Sequence, residues 1–252
     1  MSIPEILAER QDGVLQVRMH RPDKKNALTL AMYAALAVVL AEAARDAAIR
    51  VVVLTGNGDS FTSGNDIADF LAAPPTGEDS PVFQFLAALR QFEKPLIAAV
   101  NGMAVGIGVT LLLHCDLIYV RAGAMLSLPF VNLGLCPEGG SSLLLPRLIG
   151  YPRAAELLLL GEPFSAEQAL AWGLINGIGA DADATLDLAL VKARRLAGQP
   201  AEAVRLAKAL LKRGEAGAVR DTITVESRNF VERLRSPEAT AALRAFVERR
   251  RG

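Results

Sequence analysis

The sequence predicts an α/β domain of stacked strand-plus-helix units in preference to a single open sheet. Residues 51–54, 96–100 and 117–120 are continuous apolar runs, rich in β-branched side chains, as expected of strands buried on both faces. The first two run directly into glycine turns, Thr55-Gly56-Asn57-Gly58 and Asn101-Gly102. That recurrence reads as a structural repeat, although the units share little sequence. At 252 residues the chain suits one large domain or a domain with a small appendage.

The elements follow in order. Leu15, Val17 and Met19 alternate with Gln16, Arg18 and His20, the pattern of a half-buried strand. Arg21-Pro22-Asp23-Lys24-Lys25-Asn26 is a polar turn, and Thr29 is placed to N-cap a helix with Tyr33, Leu36, Leu40 and Ala44 on one face. Residues 72–81 carry three prolines among polar residues and read as a mobile loop. Gly161 to Ser165 joins two helices, the second opened by a capping box of Ser165 and Gln168. Trp172 precedes Gly173-Leu174-Ile175 and is expected in the core. After about Arg195 the chain becomes charged amphipathic helices broken at Gly198-Gln199-Pro200, at residues 214–217 and at Ser236-Pro237. Leu206, Leu210, Phe230, Leu234 and Phe246 form apolar faces there that must be buried on the core or on another subunit. The expected division is therefore a core at 1–195 and a helical assembly region at 196–252.

Composition excludes several classes. Lys plus Arg (27) balance Asp plus Glu (27), so no net field draws nucleic acid or an anionic membrane. The apolar stretch 97–120 is interrupted by Asn101, His114, Asp116 and glycines, which makes it too short to span a bilayer. The opening Met-Ser-Ile-Pro-Glu-Ile lacks a basic segment followed by an apolar one, so no signal peptide is read and a cytoplasmic location is expected. Cys115 and Cys136 lack metal or CxxC spacing and are expected to be reduced, structural thiols; no metal site is expected. His20 and His114 lie outside any nucleophile context such as GxSxG, which argues against a hydrolase triad.

Three segments carry chemistry: Gly58-Asp59-Ser60-Phe61-Thr62-Ser63-Gly64-Asn65-Asp66-Ile67, Ala99-Val100-Asn101-Gly102-Met103-Ala104-Val105-Gly106-Ile107-Gly108, and Leu133-Gly134-Leu135-Cys136-Pro137-Glu138-Gly139-Gly140-Ser141. The first two are glycine-bearing turns after strands, each able to leave a backbone N–H pointing outward. Two such groups converging on one point make an oxyanion hole. On the glycines alone, tight-turn geometry is the simpler explanation.

The order and spacing of the three segments resemble the crotonase (enoyl-CoA hydratase/isomerase) superfamily over nearly the whole chain. Lys25-Asn26-Ala27-Leu28 resembles the family's Asn-Ala-Leu element, and Phe61-Thr62-Ser63-Gly64-Asn65-Asp66-Ile67 resembles its Phe-x-Ala-Gly-x-Asp-Ile/Leu stretch. The resemblance implies a spiral of ββα units, a homotrimer or dimer of trimers, and an acyl-CoA thioester as substrate, with no cofactor beyond the CoA it carries. It assigns the oxyanion donors to the N–H groups of Asn65 and Ile107. It places Lys25, Ala27, Ser63, Gly64, Asp66, Ile67 and Gly106 around the substrate, with Asp66 also able to cap or brace the loop.

The family's hydratases activate water with two glutamates, and the matching positions here are Thr110 and Phe130. Neither exchanges protons as a carboxylate does. Glu138 lies at the expected start of a helix running toward Leu145, in a context similar to that of the Δ3-Δ2-enoyl-CoA isomerases of the peroxisomal type. There the matching glutamate acts as the base. Leu135 and Phe130 nearby would raise its pKa, although a first-turn helix carboxylate is also an ordinary stabilising feature. The expected activity is thus a 3-enoyl- to 2-enoyl-CoA isomerase. A hydratase or other crotonase-type enzyme, and a non-catalytic acyl-CoA-binding protein, are the alternatives.

Overall fold

A computed structural model describes residues 3–77 and 79–249. The chain opens with an antiparallel pair, β1 (Ile6–Gln11) and β2 (Val14–Met19), and the helix α1 (Leu30–Arg45). Thr29 caps α1 as expected, its Oγ1 accepting the Met32 N–H at 3.2 Å. Then come β3 (Val51–Gly56), β4 (Ser60–Thr62), α2 (Ile67–Ala72) and α3 (Pro81–Gln91). A second unit holds β5 (Leu96–Val100), β6 (Met103–Val105) and the single turn α4 (Ile107–Thr110), which a 3-10 turn continues to His114. A third holds β7 (Leu117–Arg121), β8 (Met125–Ser127), α5 (Ser141–Ile149) and α6 (Tyr151–Leu160). The chain finishes through β9 (Phe164–Ser165), α7 (Ala166–Ala171), β10 (Gly177–Gly179) and four helices: α8 (Ala182–Ala197), α9 (Ala201–Arg213), α10 (Ala216–Leu234) and α11 (Pro237–Arg249).

The strands form two sheets, ordered β1-β2-β3-β5-β7-β10 and β4-β6-β8-β9. Each of the three units places its first strand in the larger sheet and its second in the smaller, so the chain winds as a spiral of ββα turns. The strands from β2 to β10 in the larger sheet pair in parallel, as do β4, β6 and β8 in the smaller. The corners between the sheets are tight. A Cβ on Gly102 would lie 1.9 Å from the Asp59 carbonyl oxygen, so only glycine fits there. Asn101 satisfies the same corner, accepting from the Gly56 N–H at 3.0 Å and donating to the Gly58 carbonyl at 2.9 Å.

Strand β3 shows why the apolar runs are continuous. Val51 and Val53 pack beneath α8 with Ile97, Ala99, Ala189 and Ala193, while Val52 and Leu54 face the main core. Both faces of the larger sheet are therefore covered, and alternation disappears. On the core side α1 packs on α3, with the Tyr33 and Phe85 rings 5.7 Å apart. The Ser165–Gln168 capping box forms reciprocally at 3.2 and 2.8 Å. Trp172 is half-buried, stacked near Phe164 at 5.5 Å and beneath the Arg153 guanidinium at 5.9 Å.

Two expectations about the C-terminal part need correction. The break at residues 214–217 is shorter than expected, because α9 ends at Arg213 and α10 already starts at Ala216, taking Gly217 into the helix. The expected division at residue 195 falls inside α8, two residues before its end, and the Ala189–Ala193 face of that helix packs on the larger sheet. Beyond it, the helices are bound to the core. Lys208 of α9 pairs with Asp116 at 2.7 Å, and Phe230 of α10 and Leu243 of α11 are buried. Leu206, Leu210 and Leu211 on α9 remain largely exposed. Among the described residues no helix is long and apolar enough to cross a membrane.

Candidate active site

Asn65 and Ile107 arrive at one cavity from successive spiral turns. Leu28 bridges the Asn65 segment as in a parallel ladder, donating to the Gly64 carbonyl at 2.8 Å and accepting the Asp66 N–H at 2.9 Å. That pairing uses the residues on either side of Asn65 and turns its own N–H away from Leu28. Ile107 is the first residue of α4, so its N–H has no helical carbonyl one turn before it. Asn65 and Ile107 line a cavity of about 240 Å³ together with Ser63, Gly64, Ile67 and Gly106. Apart from Asn132 the rest of the wall is apolar, with Phe70, Phe130, Leu133, Leu135, Phe230 and Leu234 prominent.

A neighbouring cavity of about 320 Å³ is lined by Arg21, Lys24, Ala27, Asp66, Ile67 and Phe246 among others. Ile67 and Phe246 border both, so the two spaces adjoin, the first carrying the polar side chains of Arg21, Lys24 and Asp66 and the second mostly apolar. Asp66 does brace the loop: it caps α2 by accepting from the Ala68 and Asp69 N–H groups at 3.1 and 3.2 Å, and it pairs with Arg21 at 2.7 Å. Burial pushes its pKa up, but the Arg21 hydrogen bond and the α2 amides outweigh that and hold it below the usual carboxylate range. Lys25 lies on neither cavity wall. It sits at φ +51°, and its carbonyl accepts the Ser63 N–H at 2.9 Å, so its visible part is to hold the Ser63–Asn65 loop.

Glu138 departs from expectation in place. Gly139 and Gly140 stand at φ +68° and +80°, outside helical space, so α5 cannot begin before Ser141. Glu138 precedes the helix and is not a first-turn residue. Glu138 is buried, 4% exposed, and is not among the residues on the cavity wall. The Thr110 hydroxyl donates to its carboxyl; Thr110 lies one turn after Ile107. Burial pushes the Glu138 pKa up to about 8 despite the Thr110 bond, with the charge of Glu226 adding to the rise.

Several neighbours were not singled out from sequence for this role. Tyr33, read only as an apolar-face residue, donates its hydroxyl to the Asn65 side-chain oxygen. Burial, with the Glu138 charge next, pushes the Tyr33 phenol well above its ordinary pKa, so it stays a donor. A buried tyrosine requires a partner for its hydroxyl, which is the one signal the sequence offered. Asn26 is fully buried and donates to the Asn57 and Ser60 carbonyls at 2.9 and 2.7 Å, tying the first loop to the β3–β4 corner. His114 ends the 3-10 turn and meets the Gly139 carbonyl at 2.7 Å through Nε2; burial lowers its pKa to about 4, so it bonds as a neutral donor. Cys115 and Cys136 are free, and burial pushes them to about 12 and about 11, which leaves both thiols unreactive.

A spiral of three ββα units, its strands shared between two sheets, is the crotonase fold. The profile of the enoyl-CoA hydratase/isomerase family matches residues 9–252, and the chain belongs to that family. It is 33% identical to enoyl-CoA delta isomerase 2 of Homo sapiens over 252 residues, covering 97% of this chain and 64% of the human protein. The chain thus spans a little under two thirds of that relative's length. It is 34% identical to 2,3-dehydroadipyl-CoA hydratase of Escherichia coli, covering 98% of this chain and 96% of that one. The solved structure of OdaA from Pseudomonas aeruginosa superposes with a TM-score of 0.95 at 54% identity, covering 97% of this chain and 99% of that one.

Proposed function

We propose that the protein is an enoyl-CoA isomerase that moves a 3-enoyl-CoA double bond to the 2-position. One observation carries the reading: Glu138 is a buried carboxyl whose side-chain partner is a single hydroxyl, on Thr110, leaving it capacity to take and return a proton. The thioester oxygen lies between the Asn65 and Ile107 N–H groups, which stabilise the negative charge that develops there. Glu138 removes a proton from C2, the electrons pass through the C3–C4 double bond into a dienolate, and the same carboxyl returns its proton at C4. No proton is gained or lost in the cycle. To reach both carbons, the carboxyl swings away from Thr110 into the cavity. The resemblance of the human relative supports this choice, and so does an apolar wall that keeps the proton from solvent.

The CoA portion lies along the polar cavity at Arg21, Lys24, Ala27 and Asp66, with the acyl chain in the apolar one. The protein acts in the cytoplasm, with no cofactor beyond its substrate's CoA. It works as a homotrimer or dimer of trimers, which would cover the exposed Leu206, Leu210 and Leu211 on α9. Analytical ultracentrifugation at micromolar concentration should find a trimer or hexamer; a stable monomer would remove the assembly.

The E. coli hydratase favours a second reading, water addition. The side chains oppose it, because Thr110 and Phe130 stand where two carboxylates would hold and activate water. Hydration of crotonyl-CoA is therefore expected to be slow or absent, with the conjugated-thioester absorbance persisting after enzyme is added. Formation of 2-enoyl-CoA from 3-enoyl-CoA should be fast in the same preparation. Rapid appearance of 3-hydroxyacyl-CoA would replace the isomerase reading with the hydratase one.

A further inference from the structure

A second buried carboxylate, Glu226 of α10, meets the Glu138 loop from the C-terminal helices. It is 7% exposed. Its Oε2 accepts the Gly140 N–H at 2.5 Å, and its Oε1 accepts the Ser142 N–H at 2.9 Å and the Ser142 hydroxyl at 2.5 Å. The N-cap of α5 is Gly140, which has no side chain, so the first turn of that helix receives its acceptor from 86 residues away in sequence. The segment between the two carboxylates is held from further sides. The Glu138 carbonyl accepts from the Ser141 N–H and hydroxyl at 3.2 and 2.7 Å, and His114 holds the Gly139 carbonyl at 2.7 Å.

We infer that Glu226 is a positioning residue for Glu138: it clamps the Gly139–Ser142 backbone and supplies the fixed negative charge against which Glu138 holds its proton. The inference rests on the reading of Glu138 as the proton carrier. Burial pushes the Glu226 pKa above the ordinary carboxylate value, and the N–H bonds that both its oxygens accept, the arrangement suited to its ionised form, hold that rise back. The other titratable groups around Glu138 carry no charge near neutral pH. Tyr33 from α1 is pushed well above its ordinary pKa, His114 from the 3-10 turn is lowered to about 4, and Cys136 from the same loop is raised to about 11. The charge that bears on Glu138 is that of Glu226. The same helix also lends Phe230 and Leu234 to the cavity wall, so α10 sets the acyl space and the base together.

The test compares E226Q and E226D with wild type. Glutamine keeps the shape but removes the charge and turns an NH2 group toward one of the two N–H donors. Aspartate keeps the charge but is too short to serve both Gly140 and Ser142. In E226Q the Glu138 carboxyl should titrate at lower pH than in wild type, read by carbon-13 NMR with the resonance assigned by its loss in E138Q. The acid limb of kcat/KM for 3-enoyl-CoA should move the same way, and kcat should fall several-fold with KM within about twofold. In E226D the titration should stay near that of wild type while kcat falls. Glu138 titrating unchanged in E226Q would overturn the charge role, and full kcat in E226D would overturn the clamp. The NMR titration does not depend on isomerisation, so it separates failure of this inference from failure of the proposed activity. Should E226Q not fold, the E226D result still decides the clamp, and the titration of Glu138 in it still decides the charge: a downward shift with the charge retained would overturn that role.

Discussion

Replacing Glu138 by glutamine is expected to slow isomerisation of 3-enoyl-CoA by about 10²–10⁴ while leaving binding of the CoA thioester within a few-fold of wild type. Glutamine keeps the side chain's volume and can still meet the Thr110 hydroxyl, so the buried pocket it occupies is preserved. What it lacks is the ability to carry a proton between C2 and C4. Turnover by wild type and E138Q, with binding followed by calorimetry, gives the answer. Near-wild-type turnover in E138Q would remove Glu138 from the mechanism, and loss of binding as well would assign it a structural part at the approach to α5.

The pH dependence has a defined sign. Glu138 must be ionised to accept the first proton, and burial holds its pKa near about 8. Activity governed by kcat/KM should therefore rise with pH through that region and level above it. Folding stability runs the opposite way. The folded state keeps the Glu138 proton where the unfolded chain has already released it above its ordinary value of 4.5, so this group's contribution is full below 4.5 and is lost as pH rises through about 8. The pH that suits the proton transfer is one at which the site holds the fold less firmly.

Much of this architecture was legible because it depends on local order. The runs at β3, β5 and β7, the Thr29 cap and the Ser165–Gln168 box are each fixed by residues within a few positions of one another. The candidate site was legible only in part. Asn65 and Ile107 were found because their segments keep a recognisable order. The Tyr33 bond to Asn65 spans 32 positions and the Glu226 cap of α5 spans 86, and no periodicity encodes such a pairing. The sequence places Glu138 at the start of the helix running toward Leu145. The two left-handed glycines instead delay α5 by three residues and allow the carboxyl to point into the core. Lys25 was expected beside the substrate as a charge, yet its backbone, at positive φ, is what braces the Ser63–Asn65 loop.

The second large effect is expected at Gly64, where a single methyl group tests both amides at once. Gly64 stands at φ +87°, which costs an alanine strain on the order of 1–3 kcal/mol by itself. An added Cβ would also lie 2.9 Å from the Val105 carbonyl oxygen, a contact that requires one of the two backbones to shift. Gly64 carries Asn65, and Val105 leads through Gly106 into Ile107, so the shift changes the separation of the two N–H groups wherever it is absorbed. Donors fixed in place stabilise a developing oxyanion only while aimed at it, and loss of one costs about 10²–10³ in rate. Gly64→Ala should therefore lower kcat/KM for 3-enoyl-CoA by about 10²–10³, mostly in kcat, while circular dichroism still reports the folded spiral. Gly123→Ala is the matched control: Gly123 also stands at positive φ, +70°, with nothing within 4 Å of an added Cβ and on neither cavity wall, and its substitution should change turnover by less than about threefold. If Gly64→Ala isomerises as fast as that control, the Asn65 and Ile107 amides do not hold the enolate, and the acyl group must be polarised elsewhere in the cavity.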